Sequence, residues 1–286
     1  MSMHDQHGGP TIGQTDPQTT SDPLSAVTTR KGFLKGAAVA GAGAAGLSTL
    51  APAAALARGH KRKGPTRGDV KILEAAQLAE ALAVTTYTNI IGAAPFFKNI
   101  PADDQGYLRG ALQEEMSHYL LEESLTGKPA AASTFYYPPK MFSDAQTTLN
   151  ILVTLEDAFI AAYLVGVRDF STADLRVTAA RIMGIESDHR TLARVLGPDV
   201  ASSDGGPIEQ ITGFQKSAES VDPPNNNGYE RTLLLTNIEQ AVEALTPFAS
   251  KEAAAKAGFD TSTSYAFKSF TPTLPNPLGE FHSLKG

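Results

Sequence analysis

Apolar residues recur at three- and four-residue intervals from Asp69 onward, and Val70, Leu73, Gln77, Glu80, Val84 and Tyr87 mark one stripe of a helix that ends near Gly92, before Pro95. The pattern predicts a second helix from Asp103, after Pro101, through Leu108, Leu112, Glu115, His118 and Leu121 to Leu125. Gly127, followed by Lys128 and Pro129, stops it. A third helix takes Ser143 as its N-cap and carries Leu149, Leu152, Val153, Glu156, Ile160 and Tyr163 to about Phe170. The fourth begins at Ser171 or Thr172, passes Val177, Ile182, Glu186 and His189, and closes at Leu196 before Gly197 and Pro198. The expected fold is all-α, a four-helix bundle over residues 69–197.

The flanks read differently. Residues 1–28 are rich in Ser, Thr, Gln, Asp and Pro and have no hydrophobic period, the composition of a disordered segment. Thr29, Arg30, Lys31, Gly32, Phe33, Leu34 and Lys35 then lead into an Ala/Gly-rich stretch reaching Ala57, interrupted by Pro52 and too weakly apolar for a lasting membrane span. With the small-x-small site at Ala55 and Ala57, residues 1–57 read as a disordered n-region and signal peptide. The segment resembles a twin-arginine signal, with Lys31 where the second Arg would stand. That resemblance implies export of an already folded protein to the periplasm, cell surface or exterior, with cleavage after Ala57. An uncleaved Ala-rich tail is the alternative. Residues 58–68 form a basic linker. The extension, residues 198–286, is Gly-, Ser-, Pro- and Asn-rich with a short apolar piece from Ile208 to Phe214. A fifth helix is expected from Tyr229 to about Leu245, packed on the bundle or on a second subunit, which leaves a homo-oligomer open. The tail around Pro272, Pro275 and Pro277 reads as irregular.

Composition narrows the chemistry. A net charge of -6 carries no signature of nucleic-acid binding. Cysteine is absent, which excludes disulfides, thiolate metal sites and thiol catalysis, so any metal is held by oxygen and nitrogen.

The stripes themselves carry charge. Glu80 is followed by Glu115 and His118, and Glu156 by Glu186 and His189, so two helices each supply a Glu and two supply Glu-x-x-His. With six His in the chain, chance yields about 0.3 such Glu-x-x-His matches. Tyr87 and Tyr163 each follow the leading Glu by nearly two turns and share its face. Buried carboxylates cost several kcal/mol each unless something neutralises them. Buried ion pairs without metal are the alternative, and no cation lies on those stripes to form them. Counting outward from the two turns places all four Glu at matching heights, about 20 Å from the turn in the second pair. Residues 127–143 connect the halves and could cross the bundle lengthwise or join neighbours directly, a choice that length leaves open.

Over residues 69–197 the chain resembles the ferritin-like di-iron and di-manganese proteins, whose bundles carry this ligand pattern. The resemblance implies two divalent cations, iron or manganese. Glu80 and Glu156 would be terminal ligands, Glu115 and Glu186 bridging ligands, and His118 and His189 would give one nitrogen to each ion. Many members carry an acidic residue just before the Glu of Glu-x-x-His that orients a His. Glu114 occupies that position here, but Ile185 stands at its counterpart. Tyr87 and Tyr163 would hydrogen-bond ligands, or would otherwise be core tyrosines with satisfied hydroxyls. Asp157, Asp188, Glu122 and Glu123 are expected as solvated helix-face charges, and His60 and His282 receive no role. At the level of domain plus extension the chain also resembles exported bacterial ferritin-like proteins and plant desiccation-related proteins. Three functions follow: redox chemistry of ferroxidase or peroxide-detoxifying type on Fe(II), oxygen or hydrogen peroxide; a stress protein with a mainly structural metal; and, least favoured given the long extension, an iron-storage cage subunit.

Overall fold

The computed structural model describes residues 64–196 and 235–273. Expectations for residues 1–63, the Ile208–Phe214 piece, the start of the predicted fifth helix at Tyr229, and Pro275 and Pro277 lie outside the described residues. So do His60 and His282.

Four long helices form the bundle: α1 (Arg67–Ala93), α2 (Ala102–Thr126), α3 (Ala145–Asp169) and α4 (Ala173–Val195). Their ends have local causes. Thr66 and Asp69 make a reciprocal capping box at the start of α1, two residues earlier than the apolar period suggested. Asp69 also accepts from the Ser171 backbone N–H at 2.7 Å, tying that end to the α3–α4 turn. Gly127, at φ 70°, ends α2 as expected, its N–H reaching Glu123 O. Thr172 caps α4, also as expected. The N-cap of α3 is Asp144 rather than Ser143. Lys140, at φ 67°, opens a turn that engages the Ser143 N–H, and Asp144 then reaches the Thr147 N–H at 2.8 Å.

The connection crosses the bundle lengthwise. Lys128 O lies beside Gln77, accepting from its Nε2 at 2.8 Å, and Tyr137 OH lies 3.0 Å from Thr86 Oγ1. The chain thus climbs α1 by about 13 Å over this stretch. Crossing makes α3 antiparallel to α1 and parallel to α2. Within the connection, β1 (Thr134–Tyr137) pairs antiparallel with β2 (Asp260–Ala266) from the C-terminal extension, Phe135 opposite Tyr265. Buried Phe135 and Tyr137 of β1 face the core, where Tyr137 packs edge-on to Phe142, Phe248 and Tyr265.

Among the described residues the next helix is α5, Ile238–Ala249, which Asn237 caps by accepting from the Gln240 N–H at 3.1 Å. It packs on α1 and α3. A short α6 (Lys251–Lys256) and β2 follow. The chain then runs along α2, with Phe267 against Tyr119 and the Thr273 N–H donating to Gln113. Val177, placed on the α4 stripe by spacing, is exposed.

Candidate metal centre

All six residues singled out by spacing converge at mid-bundle. Glu80, Glu115, Glu156 and Glu186 are at most 1% exposed, and His118 and His189 are buried beside them. His118 Nδ1 lies 3.6 Å from Glu80 Oε2, 3.5 Å from Glu115 Oε2 and 3.2 Å from Glu186 Oε1. His189 Nδ1 lies 2.9 Å from Glu115 Oε1 and 3.4 Å from Glu186 Oε2. None of these contacts has hydrogen-bond geometry: the atoms point at common centres rather than at one another.

The unpartnered atoms define those centres. Glu80 Oε2, both oxygens of Glu115, His118 Nδ1, Glu156 Oε2, both oxygens of Glu186 and His189 Nδ1 are buried without a hydrogen bond. Buried polar atoms are nearly always satisfied, so a cluster of this kind marks a site for a ligand. The donors divide into two sets, Glu80–Glu115–His118–Glu186 and Glu115–Glu156–Glu186–His189. Glu115 and Glu186 belong to both, as bridging carboxylates must, while Glu80 and Glu156 each belong to one.

The remaining oxygens of the terminal carboxylates are held by tyrosines. Tyr87 OH donates to Glu156 Oε1 at 2.8 Å, and Tyr163 OH donates to Glu80 Oε1. Each tyrosine fixes the rotamer that turns the other oxygen inward. His189 is oriented from across the bundle, its Nε2 lying 2.9 Å from Glu114 Oε2. An Nε2 proton donated to Glu114 leaves the Nδ1 lone pair for a cation. Ile185 offers no such acceptor at the counterpart position, so the asymmetry visible in the sequence is built into the site.

Protonation reflects crowding. Burial, then the charges of Glu115 and Glu186, pushes Glu80 and Glu156 well above the usual carboxylate range. Burial opposes charging His118, but Glu80, Glu115 and Glu186 together outweigh it and lift the imidazole well above its ordinary value; Glu115, Glu114 and Glu186 do the same for His189. Burial acts against Glu115 too, yet His189 and His118 hold it low.

Residues 68–197 match the family model described as the ferritin-like domain. They form a ferritin-like domain. No curated protein and no solved structure matches the chain.

Two charges around the ferritin-like domain's centre differ from expectation. Glu122 is not a solvated helix-face charge: it is 2% exposed, and its Oε1 lies 2.8 Å from Tyr163 OH. Its position four residues after His118, on the same face, was the signal available in the sequence. Asp157 is likewise buried, 2.9 Å from buried Arg190 of α4. The pair joins α3 to α4 at the residues that follow Glu156 and His189. Asp188 is exposed, and Glu123 is half-buried and accepts from Tyr119 OH at 3.0 Å.

Proposed function

We propose that this chain is an exported di-metal oxidoreductase whose ferritin-like domain holds two iron or manganese ions and acts on oxygen or hydrogen peroxide, with Fe(II) as a further substrate. The supporting observation is the division of the unpartnered donors into two sets that share Glu115 and Glu186. Four carboxylates balance two divalent charges, which leaves a neutral cluster in a buried core. Oxygen-rich ligation with one imidazole per ion suits iron or manganese, and the absence of thiolate argues against a structural zinc. Bound iron or manganese supplies redox cycling at an open coordination position. The chain's own residues orient the donors through Tyr87, Tyr163 and Glu114 and enclose them in apolar side chains. Export rests on the resemblance of residues 29–57 to a twin-arginine signal, a route that carries folded proteins and lets the metal be loaded beforehand.

Metal analysis of the purified chain, followed by Fe(II)-oxidation and peroxide-consumption assays, tests the reading. Two equivalents of iron or manganese with turnover in either assay are expected. Metal bound without turnover in both assays makes the centre structural and favours the stress-protein reading. A large uniform oligomer with a mineral core favours storage.

A further inference from the structure

The second oxygen of Glu122 has no partner. Its Oε1 lies 2.8 Å from Tyr163 OH, while Oε2 is buried, makes no hydrogen bond and belongs to neither donor set. Buried carboxyl oxygens are nearly always satisfied, and the six donors do not account for this one. Packing does not require the carboxyl either. Where α2 carries Glu115, His118 and Glu122, α4 carries Glu186, His189 and Ala193 at the same spacing, and Ala193 is fully buried. Glu122 is an addition on one side of the centre.

Glu122 lines a cavity of about 20 Å³ that reaches from Phe170, at the α3–α4 turn, to Tyr163. Side chains of all four bundle helices form its wall, and apart from Glu122, Tyr163 and Thr178 they are apolar. Leu125 and Thr178 are half-buried and the rest are buried, so the mouth lies between α2 and α4. At the inner end the Tyr163 hydroxyl donates to Glu80 Oε1, so one side chain separates the cavity from a candidate ligand. Thr178 gives its proton to Asp174 O at 2.9 Å, which leaves Glu122 Oε2 as the polar atom in need of a ligand. The volume admits one water molecule or a molecule little larger.

The occupant must therefore be very small and able to hydrogen-bond. A carboxyl oxygen accepts when ionised and donates when it carries the proton. Hydrogen peroxide both donates and accepts, so it satisfies Oε2 in either form. Dioxygen has no proton to donate and is a poor acceptor, and it would leave Oε2 unsatisfied. We propose that this cavity is the docking site of hydrogen peroxide, held by Glu122 Oε2 one side chain short of the ion on the Glu80 side, and that peroxide rather than dioxygen is the oxidant this chain takes. The proposal rests on the di-metal redox reading above and narrows its oxidant. Glu122 is a binding residue in it, not a metal ligand, and no proton or electron transfer is assigned to it.

Crystals of the metal-free chain soaked in hydrogen peroxide test the site without turnover. Wild type is expected to show a two-atom ligand at hydrogen-bond distance from Glu122 Oε2, and Ala179→Leu, which fills the cavity, is expected to show none. In the metal-loaded protein, Glu122→Leu is expected to raise KM for peroxide about 10-fold with kcat little changed, the effect of losing one hydrogen bond. Glu122→Gln, which still donates and accepts, recovers most of that loss. A cavity that holds only water overturns the proposal, as does a KM for peroxide that is unchanged or rises in step with KM for dioxygen. Peroxide in the crystal without the kinetic effect also overturns it, as binding at crystal concentration only. Wild type that binds peroxide beside Glu122 but consumes neither oxidant overturns the redox reading, while the binding site stands.

Discussion

Tyr87 of α1 donates its hydroxyl proton to Glu156 of α3 at 2.8 Å, across the interface between the two helical hairpins. Tyr163 of α3 does the same for Glu80 of α1. Because each tyrosine follows its own helix's glutamate by nearly two turns, the exchange requires α1 and α3 to run antiparallel. The two hairpins thereby lock each other's terminal carboxylates, and neither half of the centre is complete without the other.

Tyr87→Phe removes the donor that fixes Glu156 and leaves a buried acceptor oxygen unsatisfied. The expected cost is about 1–3 kcal/mol of unfolding free energy in the metal-free protein, read from urea denaturation. An unchanged midpoint and slope would show that the hydroxyl does not hold Glu156.

Glu115 faces both donor sets, whereas His118 faces one. Glu115→Ala is expected to abolish binding of both ions, while His118→Ala weakens chiefly the ion on the Glu80 side. Elemental analysis after dialysis distinguishes them. Wild-type metal content in both variants means that the six residues are not the ligands.

Glu114 holds His189 but has no counterpart holding His118 from position 185. Glu114→Gln is expected to weaken one ion by about 10–100-fold and leave the other near its original affinity. Competitive titration with a chelating dye reads the two steps. Equal weakening of both would contradict an asymmetric centre.

Glu80, Glu156, His118 and His189 all bind protons more tightly in the folded metal-free protein than in the unfolded chain. A raised folded-state pKa contributes stability below the unfolded value, about 4.3 for Glu and 6.5 for His, that is lost as pH rises. Glu115 is shifted the other way, and its contribution is lost only as pH falls below the carboxylate range. Thermal melts of the metal-free protein should therefore shift to lower temperature from about pH 5 upward. The metal-loaded protein should shift much less, because cations replace the protons, and metal addition near pH 7 should release protons into a weak buffer. Metal-free stability that is flat from about pH 5 to 8 would mean that these groups do not titrate as a cluster.

The sequence by itself determined that the six donors face inward. Helical period put Glu80, Glu115, His118, Glu156, Glu186 and His189 on apolar stripes at matching heights, and Gly127 and Thr172 marked helix ends, because these signals are local. The tertiary structure alone decided which helix lies opposite which. Length left the connection's path open, and its contacts with Gln77 and Thr86 resolve it as a crossing. Partners far apart in sequence came from the same packing: Glu114 for His189, Arg190 for Asp157, Tyr163 for Glu122, and β2 for β1. Spacing along one helix sets a side chain's direction. Whether that direction meets water, an arginine or a second carboxyl depends on helix order and hand, which no local period encodes.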